Sequence, residues 1–165
     1  MIEISNTYGL KVFHTSDLHS NHEQLVFDED VDVMIVSGDS TNYHDEEMNK
    51  VEWDNFVDWY SNVPIPVKVY VPGNHDCYVY HNTRKAKKQC EDGNIELLIK
   101  SSIEVNGLKI YGDPTTPEYG YWYFMAQRDK MHKHWSVIPE DVDILVTHGP
   151  PKGILDVSPR PGGLS

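Results

Sequence analysis

Val67-Lys68-Val69-Tyr70-Val71-Pro72-Gly73-Asn74-His75-Asp76 is a strand that runs directly into chemistry. Its first five residues form a short apolar run, and Pro72-Gly73 stops it. Runs this short, bounded by Pro and Gly, suit a buried strand of a parallel or mixed sheet. An amide, an imidazole and a carboxylate follow at once. In layered α/β folds ligands bind outside the carboxyl ends of the strands, where several loops converge.

Working outward, the same pattern recurs on both sides. Leu10–Thr15 runs into Ser16-Asp17-Leu18-His19, and Val31–Ser37 runs into Gly38-Asp39. Val142–Thr147 ends in His148-Gly149-Pro150-Pro151. Between the second and third strands, Val51, Phe56, Trp59 and Tyr60 fall near helical spacing within Asp45–Tyr60. A crossover helix there gives a strand–helix–strand unit. Glu104–Ile110 reads as a β-hairpin whose Asn106-Gly107 supplies a type I′ turn. Tyr121–Trp135 is aromatic-rich and expected to become helical towards its end. The aromatics Tyr119, Tyr121, Trp122, Tyr123 and Phe124 are assigned to core packing under a long loop, in preference to stacking a base.

The strand ends supply a ligand set. Asp17 and His19 are two residues apart, so one strand end can offer both to a single ion. Gly38 lets the backbone turn sharply and aim Asp39 into the site. A carboxylate has two oxygens, which makes Asp39 the natural bridge between two ions. Asn74 adds a neutral amide oxygen and His148 an imidazole nitrogen. This oxygen/nitrogen set suits Mn²⁺, Fe or Zn²⁺ over a soft thiolate metal. Two ions about 3.5–4 Å apart activate a water and clamp phosphate oxygens during in-line displacement. His75, one residue beyond a ligand, is placed to protonate the leaving oxygen, and Asp76 to orient that imidazole.

Composition narrows the class. At 165 residues the chain is a single domain, large enough to bury roughly 70% of the surface its unfolded form exposes. Cys77 and Cys90 make neither a disulfide framework nor a zinc-finger spacing, which suits a reducing, cytoplasmic setting. No apolar run is long enough to span a membrane. A net charge of −12 argues against long DNA or RNA, because counterion release needs a basic surface. The basic cluster Arg84–Lys88 reads as a solvated helix face. The expected substrate is therefore a small phosphoester or a nucleotide.

The segments Ser16-Asp17-Leu18-His19, Ser37-Gly38-Asp39-Ser40-Thr41, Pro72-Gly73-Asn74-His75-Asp76 and Leu145–Asp156 resemble the calcineurin-like metallophosphoesterase superfamily. Within it they resemble the small metallophosphoesterase-domain-containing (brain-type) subfamily and its bacterial and phage relatives. The resemblance implies an α/β fold, a four-layer α/β/β/α sandwich of two mixed sheets. It also implies that Asp17 and His19 bind the first metal, that Asp39 bridges, and that Asn74 and His148 bind the second. His75 is then the general acid, assisted by Asp76, in hydrolysis of phosphomonoesters or phosphodiesters.

The superfamily carries a further Gly-His-x-His after one more helix and strand, and none lies between Asp156 and Ser165. The expectation is a domain lacking its last strand or strands. A second polypeptide or a homodimer would complete the site. The alternative is a weakly active or inactive nucleotide- or metal-binding module. His44 and His81 are the histidines placed to stand in.

Overall fold

The computed structural model describes residues 2–3, 9–27, 30–154 and 156. The Pro/Gly tail at Ser158–Gly163 lies outside them.

The first sheet is built from β1 (Ile2–Glu3), β2 (Lys11–Thr15), β3 (Val33–Ser37), with α1 (Glu46–Asn62) leading to β4 (Val67–Val71). Two helices, α2 (Cys77–His81) and α3 (Thr83–Asp92), then lead to β5 (Glu96–Leu97). The strand order is β1-β2-β3-β4-β5, parallel throughout except for β1. β3 is buried at every position, as a central parallel strand covered on both faces must be.

The second sheet comes from the hairpin β6 (Ser101–Val105) and β7 (Leu108–Asp113). Asn106 and Gly107 both have positive φ, 49° and 81°, as a type I′ turn requires. After the short pair β8 (Thr116–Pro117) and β9 (Met125–Ala126) and the one-turn helix α4 (Met131–Trp135), β10 (Ile144–Thr147) returns parallel to β7. The order β10-β7-β6 leaves β10 with a neighbour on one side only among the described residues.

Two cores define the layers. Val33, Ile35, Val69 and Val71 of the first sheet meet Ile110 and Val146 of the second. On the other face Met34, Val36 and Tyr70 pack against Trp53, Phe56 and Tyr60 of α1, and against Val79, Ala86 and Cys90. The two sheets thus lie face to face under a helical layer, in the expected mixed α/β sandwich. After β5 the only described α-helix is the five-residue α4.

α1 starts where its sequence says it should. The Asp45 carboxylate accepts the Met48 N–H at 3.0 Å, and Glu46 and Glu47 occupy the first turn, favoured by the helix dipole. Its buried stripe is unusual, because Asn49 and Glu52 precede Trp53, Phe56 and Tyr60. The apolar half builds the core, each large side chain contributing about 2 kcal/mol on burial. The polar half lies under the strand-end loops. On α3, Ala86 and Cys90 are buried while Arg84, Lys85, Lys87 and Lys88 face solvent, as expected of a solvated basic face.

Candidate metal centre

The loops after β2, β3, β4 and β10 converge, and Asp39 lies where they meet. The chain reaches this point through uncommon backbone. Asp17, His19, Ser20 and Asp39 have φ of 55°, 42°, 63° and 54°. For residues with a Cβ the left-handed region costs about 1–2 kcal/mol each. Hydrogen bonds between the two loops offset that cost: Asp17 N–H to Gly38 O at 3.0 Å, His19 N–H to Asp39 O at 2.9 Å, and Ser20 N–H to Ser40 O at 3.0 Å.

Each oxygen of Asp39 faces its own group. Oδ2 lies 3.8 Å from His19 Nε2 and 3.9 Å from His75 Nε2. Oδ1 lies 3.4 Å from His148 Nε2. His19, Asp39 and His75 offer one ligand atom each within 4.8 Å of one another, and so do Asp17, Asp39 and His148. Asn74 Oδ1 sits 3.0 Å from His148 Nε2. All five expected ligands are therefore gathered, and Asp39 joins two groups as a bridge would. The partition differs from the sequence reading. Asp17 groups with His148 and His19 with His75, because the left-handed turn from Asp17 to Ser20 aims neighbouring side chains to different sides of Asp39.

The donor set fits divalent cations. The two imidazoles, two carboxylates and amide oxygen of the five expected ligands are of the oxygen/nitrogen class that takes first-row divalent ions. The imidazoles are held from behind. Nδ1 of His148 donates to the Ser37 carbonyl at 2.8 Å, and Nδ1 of His19 and His75 lie 3.2 Å from the carbonyls of Thr41 and Asn42. This turns each Nε2 towards Asp39, the arrangement metal-binding histidines use. The space is also reserved. A Cβ on Gly38 would stand 2.4 Å from His148 Nδ1, and one on Gly73 would stand 2.3 Å from Asp39 Oδ1. Gly38 additionally has φ of +98°, open to glycine alone without strain.

Asp76, expected to orient the His75 imidazole, makes its hydrogen bonds elsewhere. Its carboxylate is buried and takes six donors: Oδ2 accepts Asp39 N–H, Gly73 N–H and the Tyr70 hydroxyl, and Oδ1 accepts Thr41 N–H and the Ser40 and Thr41 hydroxyls. The Asn42 carbonyl, rather than Asp76, stands at the His75 ring. Asp76 pins the β3 and β4 loops together from below, so its influence on His75 is indirect.

Two groups hidden from sequence reasoning, Glu52 and Asn49, and one assigned there to core packing, Trp122, stand around the site. Glu52 accepts the Ser20 hydroxyl at 2.7 Å through Oε1, and the N–H groups of Asn42 and Tyr43 at 2.7 and 2.9 Å through Oε2. Asn49 donates to the carbonyls of Tyr43 and His75 at 2.7 and 2.9 Å, and accepts Tyr78 N–H at 2.9 Å. Trp122 lies with its ring centroid 3.8 Å from that of His75 and 3.9 Å from that of His44. Glu52 and Asn49 read as ordinary helix positions, and only their spacing on the stripe of Phe56 and Tyr60 marks them as inward-facing. The aromatic stretch departs from its core-packing assignment: Phe124 does pack against the core, while Tyr119 and Tyr121 are exposed and Trp122 flanks the site. His44 stacks on Trp122 and His81 packs on Tyr123, and neither joins the two ligand groups.

Charge in the cation-free centre is coupled. Burial pushes the Asp39 carboxyl up, but hydrogen bonding and attraction from His148, with the His75 N–H, outweigh it and leave it lowered. Burial disfavours the His148 imidazolium, yet Asp39 more than compensates and raises it to about 9. A histidine raised in the folded state stabilises fully below its unfolded value of 6.5, and that contribution fades as pH rises through about 9. Cation-free protein is therefore expected to lose stability over this window, and His148→Gln to flatten the slope, in urea melts with chelator present. An unchanged slope in the variant would remove His148 as its source.

The sequence profile of the Calcineurin-like phosphoesterase family matches residues 10–162, nearly the whole chain. The chain belongs to this family. The calcineurin-like phosphoesterase family implies divalent metal ions, in agreement with the two ligand groups meeting at Asp39. Human metallophosphoesterase domain-containing protein 1 is 32% identical over 88% of this chain and 50% of its own length. A UPF0046 protein of Caenorhabditis elegans is 30% identical over 89% of this chain and 53% of its own. A protein of Emericella nidulans named probable rhamnogalacturonate lyase C is 30% identical over 90% of this chain, but only 14% of that protein is involved. The chain thus spans about half the length of the human and nematode relatives. A solved crystal structure superposes with a TM-score of 0.61 at 13% identity, covering 92% of this chain and 74% of that one, which shows a shared fold. Among the described residues no helix is long and apolar enough to cross a membrane.

Proposed function

We propose that this calcineurin-like phosphoesterase domain hydrolyses a small or nucleotide-like phosphodiester or phosphomonoester with two divalent cations, Mn²⁺ first among them. The observation that supports this most is the split of Asp39, one oxygen towards His19 and His75 and the other towards His148. Asp17, His19, Asp39, Asn74 and His148 would hold the cations. When bound, they would lower the pKa of a water and offset the charge on the phosphate oxygens.

The chain's own residues do the rest. His75 keeps Nδ1 against the Asn42 carbonyl, so Nε2 is the nitrogen that faces the site and can carry a proton to a leaving oxygen. Glu52 and Asn49 fix the Asn42–Tyr43 turn that holds this ring. The test is hydrolysis of an alkyl phosphoester, whose alkoxide needs a proton in order to leave, with and without Mn²⁺ and with His75→Ala beside wild type. Removal of a general acid is expected to cost about 10²–10⁴-fold. Equal rates with and without Mn²⁺, or in the two proteins, would sink the proposal.

The free edge of β10 supports a second part of this reading. That strand ends at His148, pairs only with β7 among the described residues, and exposes Leu145. An unpaired edge is a template for another strand. We propose that a strand from a second copy or another polypeptide pairs there and adds ligands to the centre. For a second copy, light scattering of Mn²⁺-loaded protein is expected to show a dimer. For another polypeptide, activity is expected to rise when that chain is supplied. A fully active monomer that gains nothing from a partner would contradict this part alone.

A further inference from the structure

We propose that the groove between α1 and the short 3₁₀ turn His22–Gln24 is a binding site for a small organic polycation, an alkyl polyamine, separate from the cation centre. None of the five expected metal ligands lines this groove, so the inference does not depend on the phosphoesterase reading.

The groove encloses about 720 Å³, the size of a small-molecule site. Its walls carry one sign of charge. Glu23 of the turn, with Glu52 and Asp58 of α1, brings three carboxylates, and among the described residues no lysine or arginine lines it. Glu52 is committed to Ser20, Asn42 and Tyr43. Glu23 and Asp58 are exposed and enter no ion pair among the described residues. A concave surface lined by one sign of charge focuses its field and concentrates ions of the opposite sign.

Charge alone would suit any cation, and the rest of the lining narrows the class. Phe27, Trp59 and Val63 share the groove with the carboxylates. Aromatic faces attract ammonium groups, and methylene chains bury themselves along apolar surface. A hydrated metal ion gains nothing from such a surface, whereas an alkyl polyamine uses both parts of it. His22 adds an independent observation. It lines the groove at 5% exposure, with its ring centroid 5.1 Å from that of Trp59, and its Nδ1 is buried without a hydrogen-bond partner among the described residues. Buried polar atoms are nearly always paired, so this one calls for a partner from outside the chain. Burial lowers the His22 pKa, which keeps the ring neutral near pH 7 with one nitrogen able to accept an ammonium N–H.

Calorimetric titration of spermidine into the full chain at about 0.15 M salt, with and without saturating Mn²⁺, tests this. Saturable binding is expected, unchanged within about twofold by Mn²⁺. Glu23→Gln with Asp58→Asn is expected to weaken it about tenfold. Glu104→Gln with Glu140→Gln removes the same charge from exposed positions outside the groove, and should stay within about twofold of wild type. Trp59→Leu is expected to weaken binding about fivefold and Trp59→Phe to restore most of it. Thermal melts confirm that each variant is folded, and the carboxylate pairs, being exposed, keep the test open should Trp59→Leu unfold. Absence of saturable binding overturns the site. Equal loss in the two carboxylate pairs does so too, since net charge alone would then attract the ligand. Displacement of spermidine by Mn²⁺ would put it in the cation centre instead, and wild-type affinity in a folded Trp59→Leu would remove the organic class.

Discussion

Asp39→Asn is expected to abolish tight Mn²⁺ binding and to lower cation-dependent hydrolysis by at least about 10³-fold. Cation assistance is worth several kcal/mol, and each 1.4 kcal/mol is tenfold in rate. Asp39 is the one residue common to both ligand groups, so its loss strikes both at once. The substitution keeps volume and an oxygen for the His75 N–H, which Oδ1 accepts at 2.8 Å in wild type. The fold should persist, with the metal-free melting temperature lowered below about pH 9 because the charge that favours the His148 imidazolium is gone, so affinity is read on the folded variant. Calorimetric titration beside a thermal melt separates the two. Wild-type affinity for Mn²⁺ in a well-folded Asp39→Asn protein would show that the ions sit elsewhere.

Asp76→Ala should act in the opposite way, by unfolding the centre from beneath. The side chain is buried and fully engaged by six donors from two stretches of chain, Asp39–Thr41 and Tyr70–Gly73. Breaking a buried charged network from one side typically costs about 3–5 kcal/mol, because the partners keep their desolvation penalty. In a domain of this size that amounts to a fall in Tm of about 10 °C or more. Mn²⁺ binding should weaken with it, since the Asp39 and Gly73 N–H groups lose their common anchor. Were Asp76 instead an accessory to the His75 imidazole, Asp76→Ala would slow hydrolysis while leaving the melt unchanged. The melting temperature of the metal-free variant decides between these roles.

The contrast between Asp39 and Asp76 shows what was legible in the sequence. Strand ends were legible, because apolar runs of four to six residues stopped by Gly, Pro or a polar ligand have few other uses. β2, β3, β4 and β10 all lie where those runs lie, and the Asn106-Gly107 turn closes the hairpin as its composition dictates. The five expected ligand positions converge for the same reason. The destination of each side chain was not legible. Asp17 and His19 diverge because their loop is left-handed, a conformation that neither residue type announces. Asp76 follows His75 in the chain but turns under the loop to Tyr70, and that depends on how β3 and β4 stack. Glu52 and Asn49 lie on a helix face whose burial is fixed by tertiary packing. Trp122 is far from His75 in sequence and reaches it only because the segment around it is tied to Asn74.

The two groups meeting at Asp39 are expected to form a metal centre. Anomalous scattering from crystals grown with Mn²⁺ tests it most directly. Two peaks on either side of the Asp39 carboxylate are predicted, one beside His19 and one beside Asp17 and His148. Crystals that hold Mn²⁺ only at other surface carboxylates, with Asp39 bare, would contradict it.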